Sequence, residues 1–314
     1  MTVNSSCKIS VILPNYNHGR FLSERVNSIL NQTHQDFELI ILDDCSTDDS
    51  HKVLEQWKNN PRVSHFIMNE KNSGSTFIQW KRGMELAVGE WIWIAESDDV
   101  ADPNFLQEML ELAEREPDVH IAFCRSNRID ENGNLKGINR WGEIGTPDRW
   151  NSEFISHGND ECADYLLKRN TIPNASAVIF RKQTALKHID TVLPFRYCGD
   201  WLFWALVANE GKVAYCPMLL NFFRRYASAT SLVKTHERVI ARINEYMSVL
   251  KQLSVLTGSR LEHPEHHQWI IDEWTGNRKN ISFGTYLFPD FYPRLKSLFY
   301  RQCIESVFRM RRNS

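Results

Sequence analysis

The sequence predicts an α/β protein: a mostly parallel, twisted sheet flanked by helices, with a helical extension at its C-terminal end. Three observations predict it. Short apolar runs alternate with helical stripes through the first 125 residues. Carboxylate- and amide-rich clusters follow the apolar runs, at the strand ends where parallel sheets bind ligands. After about residue 236 the strand-like runs give way to helical spacing.

Ile9-Ser10-Val11-Ile12-Leu13, ended by Pro14, reads as a buried strand. Leu22, Val26, Ile29 and Leu30 follow at helical spacing. Glu38 to Leu42 is a second strand, ending in Asp43-Asp44, and the next helix carries Val53, Leu54 and Trp57 on one face. Val63 to Met68 reads as a third strand, and Phe77, Trp80, Met84 and Ala87 form another helical stripe. Trp91 to Ala95 is a fourth strand, ending in Glu96-Ser97-Asp98-Asp99. Asp102-Pro103 then offers an N-cap and a first-turn proline for a helix through about Arg115.

From about 126 to 235 the pattern is more broken. Asp130 to Asn134 is a turn cluster, and 135–158, rich in Gly, Trp and polar residues, reads as a long functional loop. Ser176 to Arg181 and Lys212 to Cys216 read as strands, with a helix from Trp201 to Asn209 between them. The expected division is a domain over 1–235, halved near 125, and a helical segment over 236–314.

Composition narrows the function classes. Of the 314 residues, 42% are hydrophobic and 24% charged, and the net charge of −2 gives no global attraction to nucleic acid. Seven scattered cysteines form no metal-ligand spacing and suit buried thiols in a reducing compartment. The short polar stretch Met1 to Cys7 has no signal-peptide pattern, and no apolar run approaches the roughly 18 to 20 residues of a spanning helix. A cytoplasmic protein is the expectation.

The strongest chemical signal is Glu96-Ser97-Asp98-Asp99. Neighbouring carboxylates at a strand end suit Mg²⁺ or Mn²⁺ shared with phosphate oxygens, although the same cluster could simply cap the next helix. The context decides. Val11-Ile12-Leu13-Pro14-Asn15-Tyr16-Asn17, Ser28-Ile29-Leu30-Asn31-Gln32-Thr33 and the run Phe37 to Asp48 come in order. Asn72-Ser73-Gly74, Gly83 through Glu90, Glu96 to Asp99, Gly199-Asp200 and Arg224-Arg225-Tyr226 follow. Over residues 7 to 235 this ordered set resembles the inverting family-2 glycosyltransferases of the GT-A fold.

The resemblance implies a nucleotide-sugar-binding half over 7–125 and an acceptor half over 126–235. Pro14, Asn15, Tyr16 and Asn17 would line the nucleotide pocket, with Tyr16 on the base and Asp44 hydrogen-bonded to it. Asp98 would touch the ribose, and Asp99 would hold the Mn²⁺ or Mg²⁺ that bridges the diphosphate. Asp200 would be the general base that takes the acceptor's proton, although the same side chain could cap the helix that follows. The implied partners are a nucleotide-sugar donor, most commonly a uridine diphosphate sugar, and a saccharide or lipid-linked saccharide acceptor. Bacterial surface-polysaccharide assembly is the implied setting.

The chain departs from the family's common forms in places. Glu96 stands where Asp is frequent, and Trp80-Lys81 where an Arg-Asn pair is frequent; Lys81 could still reach the base or phosphates. Gly199 replaces a frequent Glu before Asp200, and Tyr226 a frequent His. His263, His266 and His267 have a spacing that could bind metal but read better as an exposed turn at Pro264. Trp141 and Trp150 suit sugar stacking or loop anchoring equally. Aromatic and basic residues from Tyr286 to Arg312 suit either an anionic membrane surface at the inner face of the cell membrane or a helix packed on the preceding domain or on a partner. Two competing readings remain: a nucleotidyltransferase, which would need a Gly-rich basic loop where Pro14 to Gly19 has one Gly and no Lys, and a catalytically silent carbohydrate-binding or scaffold protein.

Overall fold

A computed structural model of the chain describes residues 7–226 and 235–312, with the side chains of Pro147, Phe283 and 306–312 outside the description. The basic residues Arg309, Arg311 and Arg312, and Phe308, therefore lie outside the described side chains.

Ten strands share one sheet: β1 (Ile9–Asn15), β2 (Phe37–Asp43), β3 (Val63–Met68), β4 (Trp91–Ile94), β5 (Val100–Ala101), β6 (Val119–Ile129), β7 (Leu135–Ile138), β8 (Phe154–His157), β9 (Val178–Arg181) and β10 (Lys212–Arg224). The main path runs β3-β2-β1-β4-β9-β6-β10-β5, with β7 beside β6 and β8 beside β10. The first four strands pair in parallel, as the early strand–helix alternation requires. Beyond β4 the sheet is mixed: β9 enters antiparallel between β4 and β6, while β6 and β10 run parallel to each other. A four-residue strand after a broken loop carries no directional signal, so this reversal is invisible in the sequence.

Alternation along the strands builds two cores. Ile12, Ile40, Leu42, Ile92 and Ile94 face one side, where the helices Thr76–Leu86 and Gly199–Ala208 and the C-terminal helices cover them. Val11, Leu13, Leu39, Ile41, Trp91 and Trp93 face the other, against the helices Gly19–Leu30 and Phe105–Ala113. The helix expected after Pro103 begins at Phe105 because Asp102 caps a preceding turn, accepting the Asn104 N–H at 2.9 Å. The segment 135–158 holds β7, β8 and a 3₁₀ turn at Pro147–Asn151, so it is partly sheet. Within it Trp150 is core, whereas Trp141 is exposed.

The C-terminal helices His236–Thr257, Gln268–Gly276 and Pro293–Arg312 dock on the first core. Three consecutive carbonyls take ring N–H donors from distant segments: Leu166 from Trp201 (2.8 Å), Leu167 from His267 (2.8 Å) and Lys168 from Trp269 (3.1 Å). These carbonyls end the short π-helical turn Cys162–Leu166, where helix geometry leaves acceptors without partners. His267 is thus buried in a docking contact, while His263 and His266 stack loosely at 5.3 Å. Phe291, Leu295 and Phe299 are also buried in this packing, and Phe288 and Ile304 are exposed. No helix among the described residues is long and apolar enough to cross a membrane.

Candidate functional site

The strand ends of β1, β2 and β4 converge. Asn15 and Asp43, paired in the β1–β2 register, are joined by the Asn15 amide, which donates to Asp43 Oδ1 at 2.6 Å. Asn17 (φ 58°) and Cys45 (φ 62°) both adopt left-handed backbone just beyond these strands. That conformation costs a non-glycine residue energy and clusters at ligand-binding turns. Asn17 meets part of the cost itself, its Oδ1 accepting the Thr47 N–H at 2.7 Å and the Asp48 N–H at 3.3 Å.

Asp44 is buried and heavily bonded. Oδ1 accepts from Asn69 (2.7 Å), the Ser73 N–H (2.9 Å) and Gln79 (2.9 Å), and Oδ2 from the Ser73 hydroxyl (2.8 Å) and N–H (3.1 Å). A carboxylate offers about four lone-pair directions, so Asp44 is saturated by its own protein. Tyr16 stands beside this turn with 47% of its surface exposed.

After β4, Asp99 is 1% exposed. Its Oδ1 accepts the Arg224 N–H at 2.9 Å and its Oδ2 the Asn174 amide at 2.9 Å. Burial, then the neighbouring Asp98 charge, pushes its pKa up to about 6. The same two causes push Glu96 up to about 8, although the Trp80 indole N–H donates to it at 2.9 Å. Asp98 accepts from the Tyr226 hydroxyl at 3.1 Å, and that hydroxyl also meets His18 Nε2 at 3.0 Å. Arg224 clamps the turn from behind, with Nε on the Asp98 carbonyl at 2.7 Å and an η nitrogen on the Asp130 carbonyl at 2.9 Å.

Beneath the acids lies Arg25, fully buried, 4.8 Å from the Trp93 ring centroid and without a hydrogen-bond partner for any guanidinium nitrogen. Burial lowers its pKa to about 10, and the charges of Asp99, Glu96 and Asp98 oppose that fall. It is a fixed counter-charge below the acidic turn. Spacing could have found it, since Arg25 falls between Leu22 and Ile29 on the buried stripe.

Asp200 sits in the first turn of the helix Gly199–Ala208 and accepts the Asn170 amide at 3.3 Å. Burial raises its pKa to about 6, against the hydrogen bonds from Trp201 and Asn170. Asn170 and Asn174 belong to one short strap that holds Asp200 at one end and Asp99 at the other. Four extended residues span at most about 14 Å between their Cα atoms, so the strap links the segments that carry the two carboxylates.

The stretch of sequence that builds these strand ends and the acidic turn matches a known family. A family model, glycosyl transferase family 2, matches residues 10–172, half of the chain.

The chain belongs to glycosyl transferase family 2.

Among its relatives in that family, an uncharacterized glycosyltransferase of Nostoc sp. is 29% identical over 73% of this chain, which covers 65% of that relative, less than two thirds of its length. The teichuronic acid biosynthesis glycosyltransferase TuaG of Bacillus subtilis, so named putatively, is 29% identical over 66% of this chain and 74% of its own. The structure of S. aureus TarS 1-349 in complex with UDP shares the fold, with a TM-score of 0.61 at 18% identity over 89% of this chain and 77% of that one. The mannosyltransferase PcManGT from Pyrobaculum calidifontis, in complex with GDP-Man and Mn²⁺, superposes with a TM-score of 0.54 at 12% identity over 90% and 78%.

In this family 2 chain Lys81 points to Asp190, at 2.6 Å, with Glu85 at 3.7 Å. Its neighbour Trp80 is the buried one, and reaches Glu96. Residues that sequence reasoning missed are Arg25, His18, Asn69, Gln79, Asn170 and Asn174. All but Arg25 carry no local signal, because they act only where separate segments meet. Among the described residues, no three His, Cys, Asp or Glu side chains converge to hold a metal unaided. A divalent ion here would need oxygens from a ligand, which is how Mg²⁺-type sites with one or two carboxylates are completed by phosphates.

Proposed function

We propose that this chain is an inverting glycosyltransferase that moves a sugar from a nucleotide-diphosphate donor, a uridine diphosphate sugar in the first instance, to an acceptor hydroxyl. The observation that carries the reading is the Asn170–Asn174 strap, which bonds Asp200 at one end and Asp99 at the other; on this reading the two face one crevice. An inverting transfer needs a base on one side of the sugar and a stabilised diphosphate on the other.

The acidic turn fits a divalent cation. Each Asp99 oxygen accepts one hydrogen bond and keeps a second lone-pair direction, and the crowded acids already favour added positive charge. Asp99 would hold Mn²⁺ or Mg²⁺, with Asp98 beside it at the ribose; the bound ion would offset charge developing on the departing diphosphate. Pro14, Asn15, Tyr16 and Asn17 would form the nucleotide's wall, with exposed Tyr16 on the base. Asp44 is held by four donor groups, so a base N–H would bond it only by displacing one of them. Lys81 would join the phosphates only on leaving Asp190. Asp200, with Asn170 orienting it, would take the acceptor proton as its oxygen attacks the anomeric carbon.

The proposed setting is bacterial surface-polysaccharide assembly, with a saccharide or lipid-linked saccharide acceptor, on the cytoplasmic side; the teichuronic acid biosynthesis in the name of TuaG supports the setting. The domain from 1 to 235 would carry the reaction, and 236–314 would brace it, with membrane contact left to Phe288 and the basic end of the last helix.

Calorimetric titration with UDP, GDP and dTDP, each with Mn²⁺ and with EDTA, tests the donor reading on wild type and Asp99→Asn. Metal-dependent binding of one nucleotide, weakened in the variant, is expected. Absence of binding by all three would sink it and favour a silent scaffold. NMR of the product's anomeric configuration then decides between inversion and retention.

A further inference from the structure

Just before the strap's Asp200-binding amide at Asn170 stand two cations, Lys168 and Arg169, that form no ion pair among the described residues. Arg169 lies with its guanidinium carbon 4.6 Å from the Trp141 ring centroid and 5.5 Å from that of Trp269. Its one polar contact is a 3.4 Å bond to the Trp141 carbonyl, and its Nε is buried without a partner. Lys168 has its ammonium 5.9 Å from the Tyr165 ring. Among the described residues neither meets a carboxylate within ion-pair distance, whereas Arg125 pairs with Glu143 and Arg149 with Glu161. A half-buried guanidinium without an anion gives up hydration and gains little in return. Burial lowers the Arg169 pKa accordingly.

Both cations line one open cavity of about 480 Å³, with Ile144 to Thr146, Tyr165 and His266 on its walls and the exposed Asp164 also contributing. Burial, then the Lys168 charge, holds His266 below the ordinary histidine pKa, so at neutral pH it offers a neutral ring N–H. The cavity's cationic wall is continuous with the chain at Asn170, which donates to Asp200.

We infer that this cavity is an acceptor subsite for an oxyanion, a phosphate or carboxylate carried by the sugar acceptor close to the hydroxyl that reacts. Arg169, held against the two indoles, would turn its remaining Nη hydrogens to the anion; Lys168 adds an ammonium, and Tyr165 and His266 complete the donor set. The inference rests on the reading of Asp200 as the base, because that reading makes this side of the crevice the acceptor's.

Calorimetry on the full chain in EDTA tests it, with glucose 1-phosphate, glucuronic acid and glucose as probes. EDTA removes the divalent cation on which diphosphate binding at Asp99 would depend, and Asp99→Asn guards against residual binding there. Glucose 1-phosphate, glucuronic acid or both should bind at least about tenfold more tightly than glucose. Lys168→Ala and Arg169→Gln should each weaken that binding about tenfold, and Asp99→Asn should leave it unchanged. Binding of the phosphate alone assigns a phosphate-bearing acceptor, and binding of both assigns any oxyanion. Lys168→Ala leaves the Arg169–indole contacts in place, so it keeps the test open if Arg169→Gln fails to fold. No binding of either anion, equal binding of all three probes, or anion binding that survives both variants would overturn the subsite. The probes need neither donor nor Asp200. Nucleotide binding and transfer without anion binding therefore sinks the subsite alone, and anion binding without any nucleotide binding sinks the transfer reading instead.

Discussion

Glu245 accepts the backbone N–H of Cys198 at 3.0 Å, and so a carboxylate on the C-terminal extension holds the turn that leads into Asp200. The same side chain accepts the N–H groups of Arg196 and Tyr197, each at 2.8 Å. Three backbone donors on one ionised group fix the turn's direction, and with it the first turn of the helix Gly199–Ala208. Glu245→Ala should cost about 2–3 kcal/mol of stability, since it leaves those donors without a charged acceptor, and Glu245→Gln should cost less. Because the Glu245 charge also raises the Asp200 pKa, both variants should move the acid limb of the rate profile to lower pH. A purely structural role would lower the melting temperature and leave that limb in place.

The pH profile of wild-type turnover should report Asp200 itself. The proposed base would work deprotonated, and burial places Asp200 at about 6, above the ordinary carboxylate value. The rate should be flat above that value and fall about tenfold per pH unit below it. Asn170→Ala removes a hydrogen bond to the ionised form, so the limb should shift upward. Asp200→Asn should lower kcat by about 10² to 10⁴ and leave nucleotide binding intact.

His267 predicts a pH dependence of stability. Its Nε2 faces a carbonyl and must carry the proton, so Nδ1 is the acceptor for the Tyr292 hydroxyl at 2.7 Å, and the folded ring is neutral. Burial lowers its pKa to about 4 from 6.5. The unfolded chain then binds more protons between those values, so stability rises with pH across the window and is lost as pH falls toward 4. The linkage amounts to about 3 kcal/mol. Urea titrations of wild type and His267→Gln at pH 5 and pH 7.5 measure it, and equal pH dependence in the two would refute the assignment.

Gly199 explains one departure from the family's common pattern. A Cβ there would lie 2.7 Å from Phe77 Cε2 and 2.8 Å from Phe195 Cβ, both in the core. Restoring the frequent acid as Gly199→Glu should destabilise the chain by at least about 1–3 kcal/mol, read as a lowered melting temperature. Trp80 and Phe77 pack edge to face at 5.1 Å, so the bulk that excludes a side chain at 199 also seats the indole that reaches Glu96.

Much of this was legible in the residues because the relevant physics is local. Near-continuous apolar runs in Ile9–Leu13, Glu38–Leu42 and Trp91–Ala95 forecast buried strands, and the polar runs after them fall at one sheet edge. The antiparallel entry of β9 was not legible, since four apolar residues read the same in either direction. Nor were the partners of the aspartates: Asn170 and Asn174 reach them across the fold, and only Arg25 left a mark, a cation on an otherwise apolar helical stripe. The long loop at 135–158 misled by its Gly and polar content, yet its strands β7 and β8 gain their order from β6 and β10, not from their own sequence.

The trio of carbonyls at Leu166, Leu167 and Lys168 bears on how such proteins descend and recombine. One donor comes from the domain and two from the extension, so these parts of the gene are not exchangeable separately. A chimera that borrowed its last helices from a cousin would inherit acceptors without donors just beside Asn170. The interlocked unit is therefore wider than the matched stretch of residues 10–172, and changes at Trp269 or His267 should be felt at the Leu167 and Lys168 carbonyls they hold, next to the strap.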